Sequence, residues 1–291
     1  MRLSTTTALI GRTPDGFHPP YIDSVKRLKN VGYKFLDINF CSSARAKTDL
    51  SSSNWETKIG NLADEIAKMG IEISQSHPVF TFGPMNELPD ERRENFIEMM
   101  RRSILASSML GVKWAVLHPV DAYVDGSVDV ESAIRKNMEN FAWVVDLAIK
   151  HNVSVAYENM PWGHGKIARF SNKAGELNAL VDEYRDPSVG ICWDFGHGNM
   201  TTPDQLPELR AMGKRLKMTH VADNYGKGDD HTNPFHGNID WHSIMPVLRE
   251  IGYEGDFAFE THMETAYVPD EFRDDIARIT YRIGKYLLTL V

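Results

Sequence analysis

Six apolar or β-branched segments each finish on a residue type that binds metals or moves protons: ISQSH on His77, WAVLH on His118, VSVAYE on Glu158, VGICWD on Asp194, LKMTH on His220 and FAFE on Glu260. Successive members are 41, 40, 36, 26 and 40 residues apart, about the length of a strand, a helix and two loops. Side chains at the C-terminal ends of successive parallel strands converge on one point. Glu158, Asp194, His220 and Glu260 form the tightest set. Three carboxylates and one imidazole suit a divalent Mn, Mg, Co or Zn ion, and such a set leaves positions open for substrate oxygens.

The elements that would carry these residues alternate from end to end. Strands are expected over 3–10, 34–40, 71–77, 114–118, 153–158, 189–194, 216–222 and 256–260, and helices over segments such as 54–69, 89–110, 129–150 and 241–251. Several helices stop at a glycine: Gly32, Gly70, Gly111 and Gly252. Eight strands with no break in composition predict an α/β fold, a (β/α)₈ TIM barrel spanning 1–291 as one domain, in preference to an open doubly wound sheet. Alternation along strands adds a test. If the terminal residues point into the barrel, so do Gln75, Val116, Ala156, Cys192, Met218 and Ala258, while Ser76, Leu117, Tyr157, Trp193, Thr219 and Phe259 face the helices.

Composition narrows the function. A formal charge of −8 makes a broad nucleic-acid surface an unexpected partner, since such surfaces cluster Lys and Arg. Cys41 and Cys192 are far apart and lack a CxxC partner, so neither a disulfide framework nor a cysteine zinc site is expected. No signal peptide or span of ~20 apolar residues is seen, so the expectation is a cytoplasmic protein without a membrane partner. GxGxxG, GxxxxGK[ST] and GxSxG are all missing, which argues against nicotinamide, ATP and serine-hydrolase chemistry.

The chain resembles the xylose isomerase-like TIM-barrel superfamily, which holds sugar isomerases and epimerases, inosose dehydratases and endonuclease IV. The resemblance runs through nearly the whole chain and is carried by YEN (157–159), WDFGH (193–197), HVADN (220–224), GNIDW (237–241) and FET (259–261). It implies a metal-dependent sugar or sugar-phosphate isomerase or epimerase. Glu158, Asp194, His220 and Glu260 would hold one divalent metal, and His197 would contact substrate. Glu158 and Glu260 would exchange a proton at the carbon beside a carbonyl, the cation's charge stabilising the enediolate. An inosose-type dehydratase would use the same proton abstraction.

The chain is also similar to endonuclease IV in matching its nine ligands for three zinc ions: His77, His118, Glu158, Asp194, His197, His220, Asp229, His231 and Glu260. That likeness implies a trinuclear zinc phosphodiesterase with additional Zn ions. Two features depart from it: PVFTFGPMNEL after His77 lacks the Pro-Tyr-Leu-type DNA wedge, and the acidic balance offers no stripe for tracking phosphates. The stretch DNYGKGDDH with its GNIDW turn is similar to sugar enzymes as well. On the sugar reading, His77, His118, Asp229 and His231 line the substrate pocket.

In the loop MPWGHGKIARF (160–170), Trp162 could pack on a sugar ring while His164, Lys166 or Arg169 meets a phosphate or carboxylate. Asp223 and Asn224 are expected to shape a turn, and Asp240 to cap a helix. Met99, Met100 and Met109 are expected to fill core gaps, as is Phe40, whereas Asp37 inside strand two has no evident role. Subunit number is open, and a homo-oligomer is compatible with this reading.

Overall fold

The computed structural model describes residues 1–11, 16–81, 83–163 and 167–291. Strands β1 (Arg2–Thr6), β2 (Phe35–Asn39), β3 (Glu72–His77) and β4 (Trp114–Leu117) lead into a short antiparallel hairpin, β5 (Tyr123–Val124) with β6 (Ser127–Val128). Strands β7 (Ser154–Glu158), β8 (Val189–Asp194), β9 (Leu216–Val221) and β10 (Asp256–Phe259) complete the set. All but the hairpin are parallel and close in the order β1-β10-β9-β8-β7-β4-β3-β2. This is the expected eight-stranded TIM barrel. The hairpin was not expected, and its two-residue strands carry too little periodicity to be read.

Helices α1 (Tyr21–Val31), α2 (Trp55–Met69), α3 (Asp90–Met109), α4 (Val130–Lys150), α5 (Ala174–Tyr184), α6 (Phe195–Thr201), α7 (Leu206–Met212), α8 (Trp241–Glu250) and α9 (Asp270–Leu287) follow the strands. Most expected boundaries hold to within a residue. The first strand is shorter than expected, giving way after Thr6 to a 3₁₀ turn over Thr7–Leu9. Asp240 caps α8 by accepting from Ser243 N, as expected. Gly70 ends α2 with φ of +65°, a conformation costly for other residues.

Alternation sorts the strand residues as predicted. Val116, Ala156, Cys192 and Met218 form a buried cluster of their own inside the barrel, while Leu117, Tyr157, Trp193 and Phe259 belong to the larger core between strands and helices. Ser76 accepts from Ser107 of α3, so it too faces outward. Phe40, Met99 and Met100 are buried, but Met109 is 39% exposed at the end of α3 and fills no gap. At the N-terminal end of the strands, Arg2 binds Asp256 at 2.7 Å and Glu72 at 3.1 Å and lies 4.1 Å over the Phe35 ring. Ser74 also donates to Asp256. No described helix is long and apolar enough to cross a membrane. Cys41 and Cys192 are both free.

Candidate active site and metal centre

Strand register sets the heights of the chemical groups. Asp194 pairs directly with His220, but Glu158 pairs with Cys192 and His220 with Ala258. Glu158 therefore lies one inward-facing position below Asp194, and Glu260 one above His220. This stagger wraps the ligand set around a point in place of a flat ring. Ligand atoms of Glu158, Asp194, His220 and Glu260 all lie within 4.8 Å of one another, and all four residues are buried.

Their contacts are specific. His220 Nδ1 is 2.6 Å from Glu158 Oε1 and 3.2 Å from Glu260 Oε2. Its Nε2 lies 3.4 Å from Asp37 Oδ2, which gives Asp37 a role as the group behind the imidazole. Asn159 fixes Asp194 from both sides: its Oδ1 accepts Asp194 N–H at 2.6 Å and its Nδ2 donates to Asp194 O at 2.9 Å. Asp194 Oδ1 in turn accepts His197 N–H at 2.7 Å and caps α6. His197 thus sits in the first turn of a short helix.

Two further groups flank this set. His77, His118 and Glu158 bring ligand atoms within 4.8 Å of each other, and so do His197, Asp229 and His231. His118 Nε2 is 2.8 Å from Glu158 Oε2 and 3.1 Å from His77 Nε2. His77 Nδ1 contacts Pro78 O and Cys41 Sγ, both at 3.0 Å. In the other group His197 Nδ1 donates to Asn159 O at 2.7 Å and His231 Nδ1 to Glu260 O at 2.9 Å. A carbonyl can only accept, so both rings turn Nε2 toward Asp229 Oδ2, at 3.3 and 3.1 Å. Imidazoles anchored through Nδ1 on a backbone carbonyl, with Nε2 beside a carboxylate, are an arrangement that suits metal ligation.

The electrostatics describe a site built for added positive charge. Burial raises the Asp194 carboxyl to about 6; the Glu158 charge adds to this and His197 opposes it. Burial would raise Glu158 as well, but His220 and His118 hold it well below the usual range. Glu260 is lowered, with His220 overcoming burial. For His220 burial acts downward, yet Glu260 and Glu158 raise it well above the ordinary imidazole. Asp194 Oδ2 and Glu158 Oε2 are buried without a hydrogen-bond partner; His118 Nε2 comes within 2.8 Å of Glu158 Oε2 without the geometry of a hydrogen bond. Unsatisfied buried carboxylate oxygens beside anchored imidazoles fit a divalent cation.

A cavity of about 500 Å³ opens above the set. Its lining includes Glu158, Glu260, His77, His118, His197, Asp229 and His231, and also His262, which the sequence did not single out. Trp162 departs from expectation. It is not among the lining residues, and its Nε1 donates to Met200 O at 2.5 Å, bracing the loop against α6. His164 and Lys166 lie outside the described residues. Asp223 shapes its turn as expected and does more: fully buried, its carboxylate accepts from the backbone N–H of Asn224, Phe235 and Ile239 and from Trp241 Nε1. It holds the segment that carries Asp229 and His231 against the barrel.

The fold has counterparts among known proteins. Residues 25–281 match the family model described as xylose isomerase-like TIM barrel. The chain belongs to this family. Among relatives, an uncharacterized protein y4fM of Sinorhizobium fredii is 29% identical over 68% of this chain and 69% of its own length. An L-ribulose-5-phosphate 3-epimerase, UlaE, of Salmonella paratyphi C is 24% identical over 86% of this chain and 84% of its own. A crystal structure of a D-tagatose 3-epimerase-like protein superposes with a TM-score of 0.76 at 21% identity, covering 100% of this chain and 98% of that one.

Proposed function

We propose that this protein is a divalent-metal-dependent epimerase or isomerase of ketoses or ketose phosphates. The observation that carries the reading is a division within the central set: Glu158 and Glu260 line the cavity, whereas Asp194 and His220 do not. Two carboxylates reach the substrate space, and the other two residues stand behind them. A residue that only holds a metal has no need to face substrate, and one that moves a proton must.

Both exposed-side carboxylates are held below the usual range, so each is ionised and able to accept a proton at neutral pH. Glu158, 1% exposed, is pinned between His220 and His118, while Glu260, 7% exposed, is the more open of the two. One takes the proton from the carbon beside the carbonyl and later loses it to solvent; the other first takes a proton from solvent and then delivers it to that carbon from a different direction, which inverts it. His197, His77 and His118 line the same cavity and can bind substrate hydroxyls. Glu158, Asp194, His220 and Glu260 would hold the cation, which when bound supplies Lewis acidity that acidifies the C–H. The relative named as an L-ribulose-5-phosphate 3-epimerase supports the reaction class. The test is incubation of a ketose and ketose-phosphate panel with Mn²⁺ in deuterated water. An epimer carrying one solvent deuterium is expected; a panel with neither epimer nor deuterium overturns the reading.

A second reading has its own observation. The flanking groups His77–His118–Glu158 and His197–Asp229–His231 are assembled to ligand spacing, as a trinuclear zinc phosphodiesterase requires. Metal analysis separates the two: about three zinc ions per chain supports the phosphodiesterase and one exchangeable ion the epimerase.

A further inference from the structure

Arg169 is a buried cation on the wall of the catalytic cavity that the proton-transfer chemistry does not use. It lies in the loop after β7, is 9% exposed, and lines the same space as Glu158 and Glu260. Its Nε donates to Asp121 Oδ2 at 2.9 Å, and the other oxygen of Asp121 accepts Phe170 N–H at 2.9 Å. The Arg169 backbone N–H is held by Asn172 Oδ1 at 2.8 Å, and Asn172 Nδ2 donates to Met160 O two residues beyond Glu158. A Cβ at Gly163 would lie 3.5 Å from Arg169 Cγ, ordinary contact distance, so Gly163 stands beside the Arg169 stem.

These contacts fix the guanidinium but use one of its five N–H groups. Among the described hydrogen bonds, Nη1 and Nη2 donate to no protein atom. Facing the cavity, they are available to a ligand, and a rigid planar fork matches the oxygens of phosphate and carboxylate in pairs. The cavity, about 500 Å³, is in the range that holds ligands with more than one recognised group.

We propose that Arg169 is an oxyanion subsite, binding the terminal phosphate or carboxylate of a ketose whose carbonyl end lies at Glu158 and Glu260. The substrate is then an acidic sugar derivative, and Asp121 is the positioning residue that aims the fork. This rests on the epimerase reading for the sugar end only.

The test is calorimetric binding to the metal-loaded protein, which needs no turnover. The ligands are a ketopentose, its 5-phosphate, a ketouronate and inorganic phosphate, each with wild type, Arg169→Met and Arg169→Lys. Wild type should prefer one acidic sugar over the neutral ketopentose by about tenfold to a hundredfold, the worth of charge-assisted hydrogen bonds. Preference for the 5-phosphate, with competition by inorganic phosphate, assigns the anion as phosphate; preference for the ketouronate assigns a carboxylate. Arg169→Met should bring the ratio close to one. Arg169→Lys keeps the charge and can keep the Asp121 pair, so it serves if the methionine variant unfolds, and it should lose several-fold because it lacks the fork. Equal affinities in wild type, or a preference unchanged in both variants, overturns the proposal. Epimerisation without any Arg169 dependence sinks the subsite alone, whereas Arg169-dependent selectivity without epimerisation sinks the reaction alone.

Discussion

Replacing Asp194 by asparagine should make the metal-free protein more stable while removing the stability that metal confers. Burial is the main cause that lifts this carboxyl from its ordinary 3.8 to about 6, with Glu158 adding to it. At neutral pH the native state must still hold it ionised. One pH unit of displacement corresponds to about 1.4 kcal/mol, so the ion costs the metal-free fold about 3 kcal/mol. The sign follows from proton counts. Unfolded chains release this proton near 3.8 and folded ones near 6, so between those values the native state binds more protons and its stability falls as pH rises. The penalty is complete at pH 7 and absent below about 3.8. Asparagine removes the charge, keeps the volume, and can still accept the His197 N–H that caps α6. In chelator, Asp194→Asn should therefore melt roughly 5 to 10 °C above wild type at pH 7 and close to wild type at pH 4. Saturating manganese, at about a hundred times Kd, should raise wild type by about 2.7 kcal/mol and the variant by much less. A chelated variant that melts below wild type at pH 7, or one with an undiminished response to metal, would refute the reasoning.

Glu158→Gln and Glu260→Gln should each lower turnover by about 10²- to 10⁴-fold, read as solvent deuterium incorporation; a variant within tenfold of wild type is not the proton carrier. In the metal-free protein His220 is protonated at neutral pH, because Glu260 and Glu158 outweigh its burial. Loading one divalent ion at pH 7 should release about one proton, and affinity should rise with pH; titration calorimetry in buffers of different ionisation enthalpy measures the count, and zero release contradicts the assignment. Gly237→Ala places a Cβ against Asp223 Oδ1 and the Asn224 backbone. Such overpacking costs about 1 to 3 kcal/mol and should loosen the segment carrying Asp229 and His231, so a thermal melt and a substrate Kd unchanged together would count against that segment's role.

Much of the site was legible because it is local in kind. His77, Glu158 and Asp194 end apolar strands, His118 and Glu260 stand one residue past theirs and His220 one before the end of its own, and period-2 alternation placed Val116, Ala156, Cys192 and Met218 inside the barrel. Asp229 and His231 came from the resemblance, and the structure joins them to His197. Trp162 was misjudged because an aromatic in a βα-loop reads the same whether it faces the cavity or, as here, pins itself to Met200. Met109 was misjudged because a helical stripe does not say where the neighbouring layer stops.

The sequence by itself determined the residue types, the strand ends that carry them and the barrel that gathers them, since periodicity and segment length are properties of neighbouring residues. Only the tertiary structure decided which chemical groups face substrate. The closed sheet brings Glu158 and Glu260 to the cavity wall and leaves Asp194 and His220 off it, although register sets Glu158 one step below both and Glu260 one step above. Packing also joins residues with no local relation: Asp37 comes behind His220, and Asp121 holds Arg169 from 48 positions away. Those pairings depend on how strands align and loops meet across the barrel mouth, which no short stretch of chain encodes.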